Sequence, residues 1–388
     1  MSAIFWISLF IVCYAFIGYG IVLFFLIKIK RLFFGKPVLP EAANLPSCTL
    51  IVAAYNEEAF IEEKIKNSLE LNYPAGKLSF IFITDGSTDN TAAIVAKYPE
   101  LIHLHTDERM GKMFAVHRAI ATVTTDVIVF TDANTFLNAD ALVNICRHYS
   151  NAKVGAVAGE KRVQITETAD ATAGEGFYWK YESKLKAWDS ELYSVVGAAG
   201  ELFSVRTALY QAVPSNAIID DFMISMLIAK KGYKIIYEPD AYALETASQD
   251  VKEELKRKVR IAAGGIQSVI WLKSLLIPFK MPVLSFQYIS HRVLRWTVVP
   301  FLMILSLILN ILIVGDGHSA FIYQLILAAQ IAFYGMSFAG WFLEARQIKV
   351  KIFFIPYYFC MMNYAVIRGI IRYCTGNQSA IWEKAKRK

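Results

Sequence analysis

Three short polar clusters in this sequence contain the residue types that bind divalent cations and phosphorylated ligands. In the first, Asp132 and Asn134 follow the apolar run 127–130, which predicts a buried parallel strand that ends at a carboxylate. Open α/β sheets bind ligands at the carboxyl ends of their strands. A carboxylate and an amide oxygen two residues apart can hold a hard cation that also takes substrate phosphates. Taken alone, the same residues also fit an ordinary Asp-Asn turn.

Two more polar clusters follow predicted strands of the same kind, at 49–54 and 79–84. Their members are Tyr55, Asn56 and Glu57 after the first strand, and Asp85 and Gly86 after the second. Because strands and helices alternate along the chain, we expect a mostly parallel α/β sheet with all three clusters on one edge. The sequence contains neither Gly-x-Gly-x-x-Gly nor a Gly-Lys-Ser/Thr phosphate loop, so we expect side chains to hold a nucleotide.

Hydrophobic periodicity predicts the elements around these clusters. Helices are expected at 59–71, 92–97, 113–121, 172–188, 218–231 and 252–265. Further strands are expected at 101–105, 155–163 and 202–205. Together these elements make residues 47–265 one domain of soluble character.

The second half of this domain offers candidate groups for an acceptor. Gly200 and Glu201 close a loop of small residues, which either lets a bulky ligand approach the backbone or forms a plain tight turn. Asp220 and Asp221 begin a predicted helix, where carboxylates complement the helix dipole. One of them could instead be a general base for an acceptor hydroxyl. The basic helix at 252–265 is either a cationic wall over a diphosphate or a solvated or lipid-facing helix.

The apolar composition indicates an integral membrane protein. The 388 residues are 56% hydrophobic, with a mean hydropathy of +0.40, which exceeds that of ordinary soluble proteins. Long uncharged runs lie at 4–27, 296–314 and 320–343, and a shorter one lies at 352–367. Because no small-residue cleavage site follows the first run, we expect residues 1–36 to be a retained anchor. Residues 266–295 are predicted to lie in the membrane interface and residues 296–388 to form a C-terminal transmembrane region.

Basic residues predict the topology. Lys28, Lys30 and Arg31 follow the first run, so the positive-inside rule puts domain 47–265 in the cytoplasm, as expected for a bacterial inner-membrane protein. Four full spans would then return the C-terminus to the outside. Arg368 and several later basic residues favour the cytoplasm instead, and a re-entrant last segment would resolve the conflict.

Charge and cysteine usage exclude some classes of partner and compartment. The net charge of +7 comes mostly from the membrane flanks, so we expect membrane lipids and no nucleic acid as partners. The five cysteines and six histidines show no paired metal-type spacing. A scattered, odd set of cysteines is typical of a reduced compartment.

Five motifs, taken in order, resemble those of a known family. They are Ala53-Ala54-Tyr55-Asn56-Glu57-Glu58, Asp85-Gly86-Ser87-Thr88-Asp89, Gly111-Lys112, Asp132-Ala133-Asn134 and Ile219-Asp220-Asp221. Their order and spacing resemble those of membrane-embedded family-2 glycosyltransferases with the GT-A fold, the group that contains poly-N-acetylglucosamine, hyaluronan and cellulose synthases. The resemblance covers the domain at about 47–265 and the membrane segments around it.

The resemblance implies a role for each matched residue in an inverting sugar transfer. It implies a nucleotide-sugar donor, specifically a UDP-sugar, and a polysaccharide or lipid-linked acceptor. The donor-binding residues would be Ala53, Tyr55, Asn56, Glu57, Asp85, Gly86, Lys112, Asp132, Arg257 and Arg260. Gly200, Glu201 and Asp220 would bind the acceptor. Asp132 and Asn134 would hold Mg²⁺ or Mn²⁺, and Asp221 would be the general base.

One departure from the family pattern affects the acceptor. Processive members carry Gln-x-x-Arg-Trp where this chain has Arg257-Lys258-Val259-Arg260-Ile261. Ile261 cannot stack on a sugar as tryptophan does, which leaves processive synthesis and single-sugar transfer to a lipid carrier both open. A catalytically silent scaffold of an export complex is a third reading. The acidic set Asp85, Asp132 and Asp221 argues against that reading.

Overall fold

One eight-stranded sheet forms the centre of domain 47–265 in the computed structural model, which describes residues 1–164, 173–246, 251–346, 348 and 350–376. The strands are β1 (Cys48–Ala54), β2 (Leu78–Asp85), β3 (Ile102–Thr106), β4 (Val127–Asp132), β5 (Thr135–Leu137), β6 (Val154–Gln164), β7 (Leu202–Arg206) and β8 (Lys234–Thr246). Their order in the sheet is β3-β2-β1-β4-β7-β6-β8-β5.

The first four strands form a parallel half-sheet that aligns the three polar clusters. In the register, Ala54 pairs with Thr84, and Ala53 pairs with Asp132, so β1, β2 and β4 end at the same level. Ile51 packs into the hydrophobic cluster on one face, whereas Leu50 packs into that on the other, because successive side chains of a strand point to opposite faces. The predicted mostly parallel α/β sheet is thus confirmed.

The antiparallel strand β7 brings the loop at Gly200 and Glu201 to the same edge of the sheet. β7 runs antiparallel to β4, and Leu202 at its start pairs with Thr131 at the end of β4. The loop at Gly200 and Glu201 therefore lies beside Asp132, although about 70 residues separate them in the chain.

Helices cover both faces of the sheet and continue into the membrane region. In the catalytic domain they are α3 (Ile61–Leu69), α4 (Thr91–Val95), α5 (Lys112–Ile120), α6 (Ala141–Cys146), α7 (Ala173–Leu192), α8 (Asp220–Lys230) and α9 (Val251–Trp271). The predicted helix at 172–188 is longer, since α7 continues to Leu192, and Thr172 lies outside the described residues.

Three elements lack a usable sequence signal, and one predicted boundary is displaced. The pattern did not predict β5, α6 or β8. In β8, Pro239 interrupts the apolar alternation, and the sheet accommodates it with a register shift against β6 between Gly159 and Glu160. The predicted domain boundary at 265 falls inside α9, which runs on to Trp271.

The membrane region contains long apolar helices at both ends of the chain. α1 (Ser2–Cys13), a π-helical turn and α2 (Tyr19–Phe34) form one continuous helix of 33 residues. The others are α10 (Pro282–Tyr288), α11 (Leu294–Trp296), α12 (Val299–Gly315), α13 (Phe321–Ala345) and α14 (Lys351–Cys374). Within the described ranges, three helices are long and apolar enough to span a bilayer, and the pair Pro282–Trp296 and Val299–Gly315, bent by 61°, would be a fourth if it forms one span.

The predicted interface segment at 266–295 packs partly on the sheet domain, and its place at a membrane surface stays a prediction. Leu272, Leu284 and Tyr288 are fully buried in the hydrophobic cluster that also contains Ile51 of the sheet. These residues pack on the domain, because burial against the sheet removes their apolar area from water, whereas Ile277 and Phe279 of the same segment are exposed.

The last helix turns back to the catalytic domain. Gly340 of α13 lies against the backbone of Phe353 near the start of α14, whereas Gly369 near its end lies against Ala262 of α9. The end of α14 is therefore on the same side as the catalytic domain. Because Lys351–Cys374 is one continuous helix of 24 residues and a candidate span, the re-entrant alternative for the last segment stays a prediction.

Candidate active site

A carboxylate at the end of β2 is fixed by the loop before α5. Asp85 accepts hydrogen bonds from the backbone N–H groups of Met110 (3.3 Å) and Gly111 (2.7 Å). Gly86 permits this approach, because a Cβ there would lie 2.5 Å from the backbone nitrogen of Arg109. A carboxylate has about four acceptor positions, so Asp85 keeps capacity for a ligand.

The cluster after β1 is shaped by contacts with the same loops. The guanidinium of Arg109 lies 3.7 Å from the centre of the Tyr55 ring, a cation–π contact. Asn56 has a left-handed backbone (φ 53°), and its side-chain oxygen accepts from the backbone of Thr88 at 2.8 Å. Tyr55 thus stands at the cleft, while Asn56 joins two loops behind it.

Lys112 connects the carboxylates of two different strand ends. Its Nζ lies 3.0 Å from Asp132 Oδ1 and 3.9 Å from Asp220 Oδ2. Burial is the largest single effect and lowers the pKa of Lys112, but Asp132, Asp220 and Asp221 together outweigh it, so the pKa is raised. The lysine therefore stays charged in the middle of an acidic group.

A fully buried lysine lies beneath the Asp132 turn. Lys64 of α3 donates to Thr131 Oγ1 (3.1 Å) and to the carbonyl of Thr135 (2.6 Å), the residues that flank the turn. Thr131 Oγ1 in turn donates to the carbonyl of Glu201 at 2.9 Å. Lys64 thus stabilises the turn that carries the predicted metal ligands Asp132 and Asn134. Through Thr131 it also contacts the loop at Gly200 and Glu201.

The candidate base is Asp221 in the first turn of α8. Burial raises the pKa of Asp221 to about 7, with Asp220 adding to the shift and Lys112 opposing it. Gly200 faces this carboxylate, because a Cβ on Gly200 would lie 3.3 Å from Asp221 Oδ2. A carboxyl group with this pKa can exchange protons near neutral pH.

The basic helix α9 contributes cations of two kinds. Burial lowers the pKa of Arg260, and the fields of Asp220 and Asp221 oppose that shift, so its guanidinium lies close to the catalytic carboxylates. Arg257 is engaged elsewhere, since its Nε lies 3.0 Å from Glu254 Oε2 in a bidentate pair. Arg260 is therefore the better placed of the two for a diphosphate.

Most of these groups line one cleft of about 680 Å³. It contains most of the residues that the sequence predicted: Ala53, Tyr55, Glu57, Asp85, Lys112, Asp132, Asn134, Gly200, Glu201, Asp220, Asp221, Arg257 and Arg260. The structure also describes Asn56 and Gly86, and neither lines the cleft; they shape the loops behind it.

Several cleft residues were missed by sequence reasoning. They are Arg109, Lys161, Trp179, Lys258, Arg292, Trp296, Met362 and Arg372. Lys161 pairs with Glu201 (2.6 Å) and with Glu245, so the acceptor-loop carboxylate is neutralised. Arg109 could have been found from the sequence, because it lies beside the Gly111-Lys112 pair. The others reach the cleft only through the tertiary packing of the elements that carry them.

The donor set fits a divalent cation that takes most of its ligands from substrate and water. Asp132 and Asn134 both line the cleft and offer oxygen donors of the type that Mg²⁺ and Mn²⁺ prefer. In the described parts of the chain, no group of three or more His, Cys, Asp or Glu forms a complete protein cage. Such an open set suits a cation that bridges to a diphosphate.

Comparison with known proteins agrees with the fold and the cleft. Residues 49–213 match the family model "Glycosyl transferase family 2". The chain is 27% identical over 257 residues to the poly-beta-1,6-N-acetyl-D-glucosamine synthase of Staphylococcus aureus (strain COL), covering 63% of this chain and 61% of the relative. It is 24% identical over 307 residues to the synthase of Staphylococcus epidermidis of the same description, covering 76% and 73%.

A solved structure shares the architecture along nearly the whole chain. The mannosyltransferase PcManGT from Pyrobaculum calidifontis, in complex with GDP-Man and Mn²⁺, superposes with a TM-score of 0.71 at 23% identity, covering 97% of this chain and 100% of that protein. At this identity the likeness concerns the fold. Together with the family-model match, it supports a glycosyltransferase with the GT-A fold.

Within that class, the family model, the relatives and the shared fold support a family-2 glycosyltransferase. The family model covers the strands that carry Asp85 and Asp132 and the loop at Gly200. The chain spans about three fifths of the length of the first curated relatives that it matches, at 61%.

Proposed function

We propose that this protein transfers a sugar from a nucleoside-diphosphate sugar, specifically a UDP-sugar, to a glycan or lipid-linked acceptor at the membrane. The observation that carries the proposal is the single cleft in which Asp85, Asp132 and Asp221 meet Lys112 and Arg260. A catalytically silent scaffold would not need a buried carboxylate with a pKa near 7 facing a loop of small residues.

The residues support a single-displacement transfer with inversion. Asp85 and Tyr55 would hold the base and ribose, and Lys112 and Arg260 would stabilise the negative charge of the departing diphosphate. Asp221 would accept the proton of the acceptor hydroxyl as that oxygen attacks the anomeric carbon. The nucleoside diphosphate then leaves from the opposite face of the sugar.

A divalent cation, either Mg²⁺ or Mn²⁺, would neutralise charge on the diphosphate when it is held by Asp132 and Asn134. The mannosyltransferase with the similar fold is described as a complex with Mn²⁺. We therefore expect activity to require a divalent cation and to stop in a chelator. Mn²⁺ binding is a second measurement, and it should weaken in Asp132→Ala. The thermal unfolding temperature of this variant should stay close to that of the parent. Full activity in excess chelator would exclude the metal assignment.

The flank after the first helix supports a cytoplasmic catalytic domain. Arg31 forms a bidentate pair with Glu191 of α7, at 2.6 Å for both bonds, and Lys30 donates to the carbonyl of Leu192. The basic flank that predicts the cytoplasmic side is therefore the surface on which the catalytic domain docks.

The donor and the product length test the proposal directly. Purified full-length protein in detergent, given Mn²⁺ and a panel of UDP-sugars and GDP-mannose, should release nucleoside diphosphate from one donor in preference to the others. Mass spectrometry of the glycan product then separates a polymer ladder from a single addition. The replacement of a stacking tryptophan by Ile261 favours single addition. No turnover of any donor would overturn the proposed activity.

A further inference from the structure

We propose that Lys112 makes cation binding at Asp132 depend on the nucleotide, so that a divalent ion and a nucleoside diphosphate bind to the cleft together. The inference rests on the proposed function and gives Lys112 a role towards the cation in addition to its predicted role towards the donor. The contacts of the Lys112 ammonium carry it, since Nζ lies between the carboxylates of Asp132 (3.0 Å) and Asp220 (3.9 Å).

The carboxylate that would bind the cation is already neutralised by this lysine. Asp132 supplies the one negative charge of the predicted metal pair, because Asn134 offers a neutral amide oxygen. Lys112 Nζ donates a hydrogen bond to Asp132 Oδ1. A carboxylate has about four acceptor positions, so this bond leaves room for a cation. It does balance the charge that attracts one, and ligand charge tunes the affinity of oxygen sites for divalent ions.

The neighbouring groups add little net negative charge. Burial lowers the pKa of Lys112, but Asp132, Asp220 and Asp221 together outweigh it, so the ammonium stays charged. Arg260 lies in the field of the same three carboxylates and balances a second charge. In the part of the chain that the structure describes, no group of three or more His, Cys, Asp or Glu could hold a metal. The protein by itself therefore offers a cation few ligands and a nearly neutral site.

A diphosphate changes this balance for the cation and for the lysine at the same time. Mg²⁺ is commonly bound through one or two carboxylates plus substrate phosphates, so the nucleotide supplies the missing oxygen ligands. A lysine ammonium binds phosphate as a point charge with three rotatable donors. Lys112 then shares its donors between the diphosphate and Asp220, and the charge of Asp132 becomes available to the cation.

This exchange makes a statement about linked equilibria. If UDP tightens the binding of Mn²⁺ by some factor, Mn²⁺ must tighten the binding of UDP by the same factor. Lys112 is then a positioning residue, because it directs the cation to the site only when the diphosphate is present. A lysine that only held the diphosphate would leave the binding of Mn²⁺ alone unchanged, and this difference separates the two roles.

Mn²⁺ binding to the full-length protein in detergent tests the linkage. Electron paramagnetic resonance of the free ion gives the Mn²⁺ affinity without nucleotide and at saturating UDP, GDP or UMP. We expect one of the two diphosphates to tighten Mn²⁺ binding by about tenfold or more, within the usual range of coupling between two sites. UMP should tighten it less, because it lacks the second phosphate.

Neutral variants of the lysine test its part in the linkage. Lys112→Gln and Lys112→Met remove a positive charge beside the cation, so each should bind Mn²⁺ alone roughly tenfold more tightly than the parent. Both should bind UDP less tightly. Lys112→Arg keeps the charge and should keep the weak binding of Mn²⁺ alone. Thermal unfolding checks that each variant folds.

An exposed lysine provides the matched control. Lys66 carries the same charge on the surface of α3, where it pairs with Glu62 at 2.9 Å. Lys66→Gln should therefore bind Mn²⁺ as the parent does, with and without UDP. A change in this control as large as that in Lys112→Gln would show a general charge effect and would overturn the role of Lys112.

The remaining outcomes separate this inference from the proposed function. Mn²⁺ affinity that neither diphosphate changes, or equal tightening by UDP and UMP, would overturn the linkage. Unchanged affinity for Mn²⁺ alone in the neutral variants would overturn the role of Lys112 in it. Sugar transfer in the presence of either result would leave the proposed function intact. Linked binding that depends on Lys112, with no turnover of any nucleotide sugar, would support this inference and overturn the proposed transfer.

Discussion

At the scale of single residues, the pH dependence of activity follows from Asp221. Burial raises the pKa of its carboxyl group to about 7, with Asp220 contributing. A base must be deprotonated to accept a proton, so activity should be low at pH 6 and should rise through about pH 7 towards a plateau. The measurement is kcat between pH 5.5 and 9 at saturating donor. A flat profile across this range would contradict the role of Asp221.

The neighbouring aspartates give a second test. Asp221→Asn keeps the shape of the side chain and removes the basic oxygen, so turnover should fall by roughly 10²–10⁴-fold with nucleotide affinity nearly unchanged. Asp220→Asn should lose less, because Asp220 lies near Lys112 (3.9 Å) and acts on the base through charge. Turnover and UDP binding, the latter by calorimetry, are measured on both. If Asp220→Asn is inactive and Asp221→Asn is active, Asp220 and not Asp221 is the general base.

Lys64 should stabilise the metal turn although it does not reach the cleft. Lys64→Met keeps the length of the side chain and removes the donors to Thr131 and Thr135. Thr131 keeps its bonds to Thr135 and Glu201, but the Thr135 carbonyl loses its Lys64 donor at a cost of about 1–3 kcal/mol, so the turn should be held less firmly and Mn²⁺ affinity should fall by roughly tenfold. Lys66→Met on the same helix is the control, since Lys66 is exposed and pairs only with Glu62 at 2.9 Å. Equal Mn²⁺ affinity in both variants would show that Lys64 does not stabilise the metal-binding turn.

The sequence predicted the polar residues of the cleft better than their surroundings. Asp85 and Asp132 follow apolar runs directly, so the strand that positions each one is visible beside it. Trp296 and Arg372 have no such local signal, because their place in the cleft depends on how α11 and α14 fold back onto α9. From the sequence, Lys64 looks like an ordinary lysine on a helix surface. Its burial becomes visible only when α3 is packed on the sheet.

At the scale of elements, the loop before β7 should control acceptor access. Because β7 runs antiparallel to β4, Gly200 lies against Asp221, and even a Cβ would be 3.3 Å from the carboxylate. The branched side chain of Gly200→Val would fill the space for the acceptor hydroxyl. Transfer should therefore fall by about tenfold or more while donor hydrolysis and UDP binding fall much less. Parallel loss of all three, with a lower unfolding temperature, would indicate a folding defect instead.

Strand order was only partly predictable from the pattern. Alternation of strands and helices predicts the parallel half with β1, β2 and β4. It does not predict that β7 inserts antiparallel beside β4 or that β8 pairs with β6 across a register shift. Both depend on long-range pairing, and the Pro239-Asp240 step in β8 hides its periodicity.

At the scale of the whole molecule, the catalytic domain and the membrane helices share one polar core. His291, in the π-helical turn before α11, lies 2.5 Å from Asp189 and 3.2 Å from Glu182, both on α7. Tyr19 of the first membrane helix donates a hydrogen bond to the same Asp189. Sequence reasoning treated these segments as separate units, because none of the residues lies near its partner in the chain.

This shared core predicts a specific stability defect. His291 is fully buried, so His291→Leu would leave the carboxylates of Asp189 and Glu182 short of a donor in a site without water access. Removing one member of a buried polar pair costs about 3–5 kcal/mol, and the protein should unfold several degrees lower in detergent. His318→Leu is the matched control, since His318 is exposed in the loop between α12 and α13. Unfolding temperatures followed by tryptophan fluorescence that are equal in the two variants would show that the domain and the membrane helices are held together elsewhere.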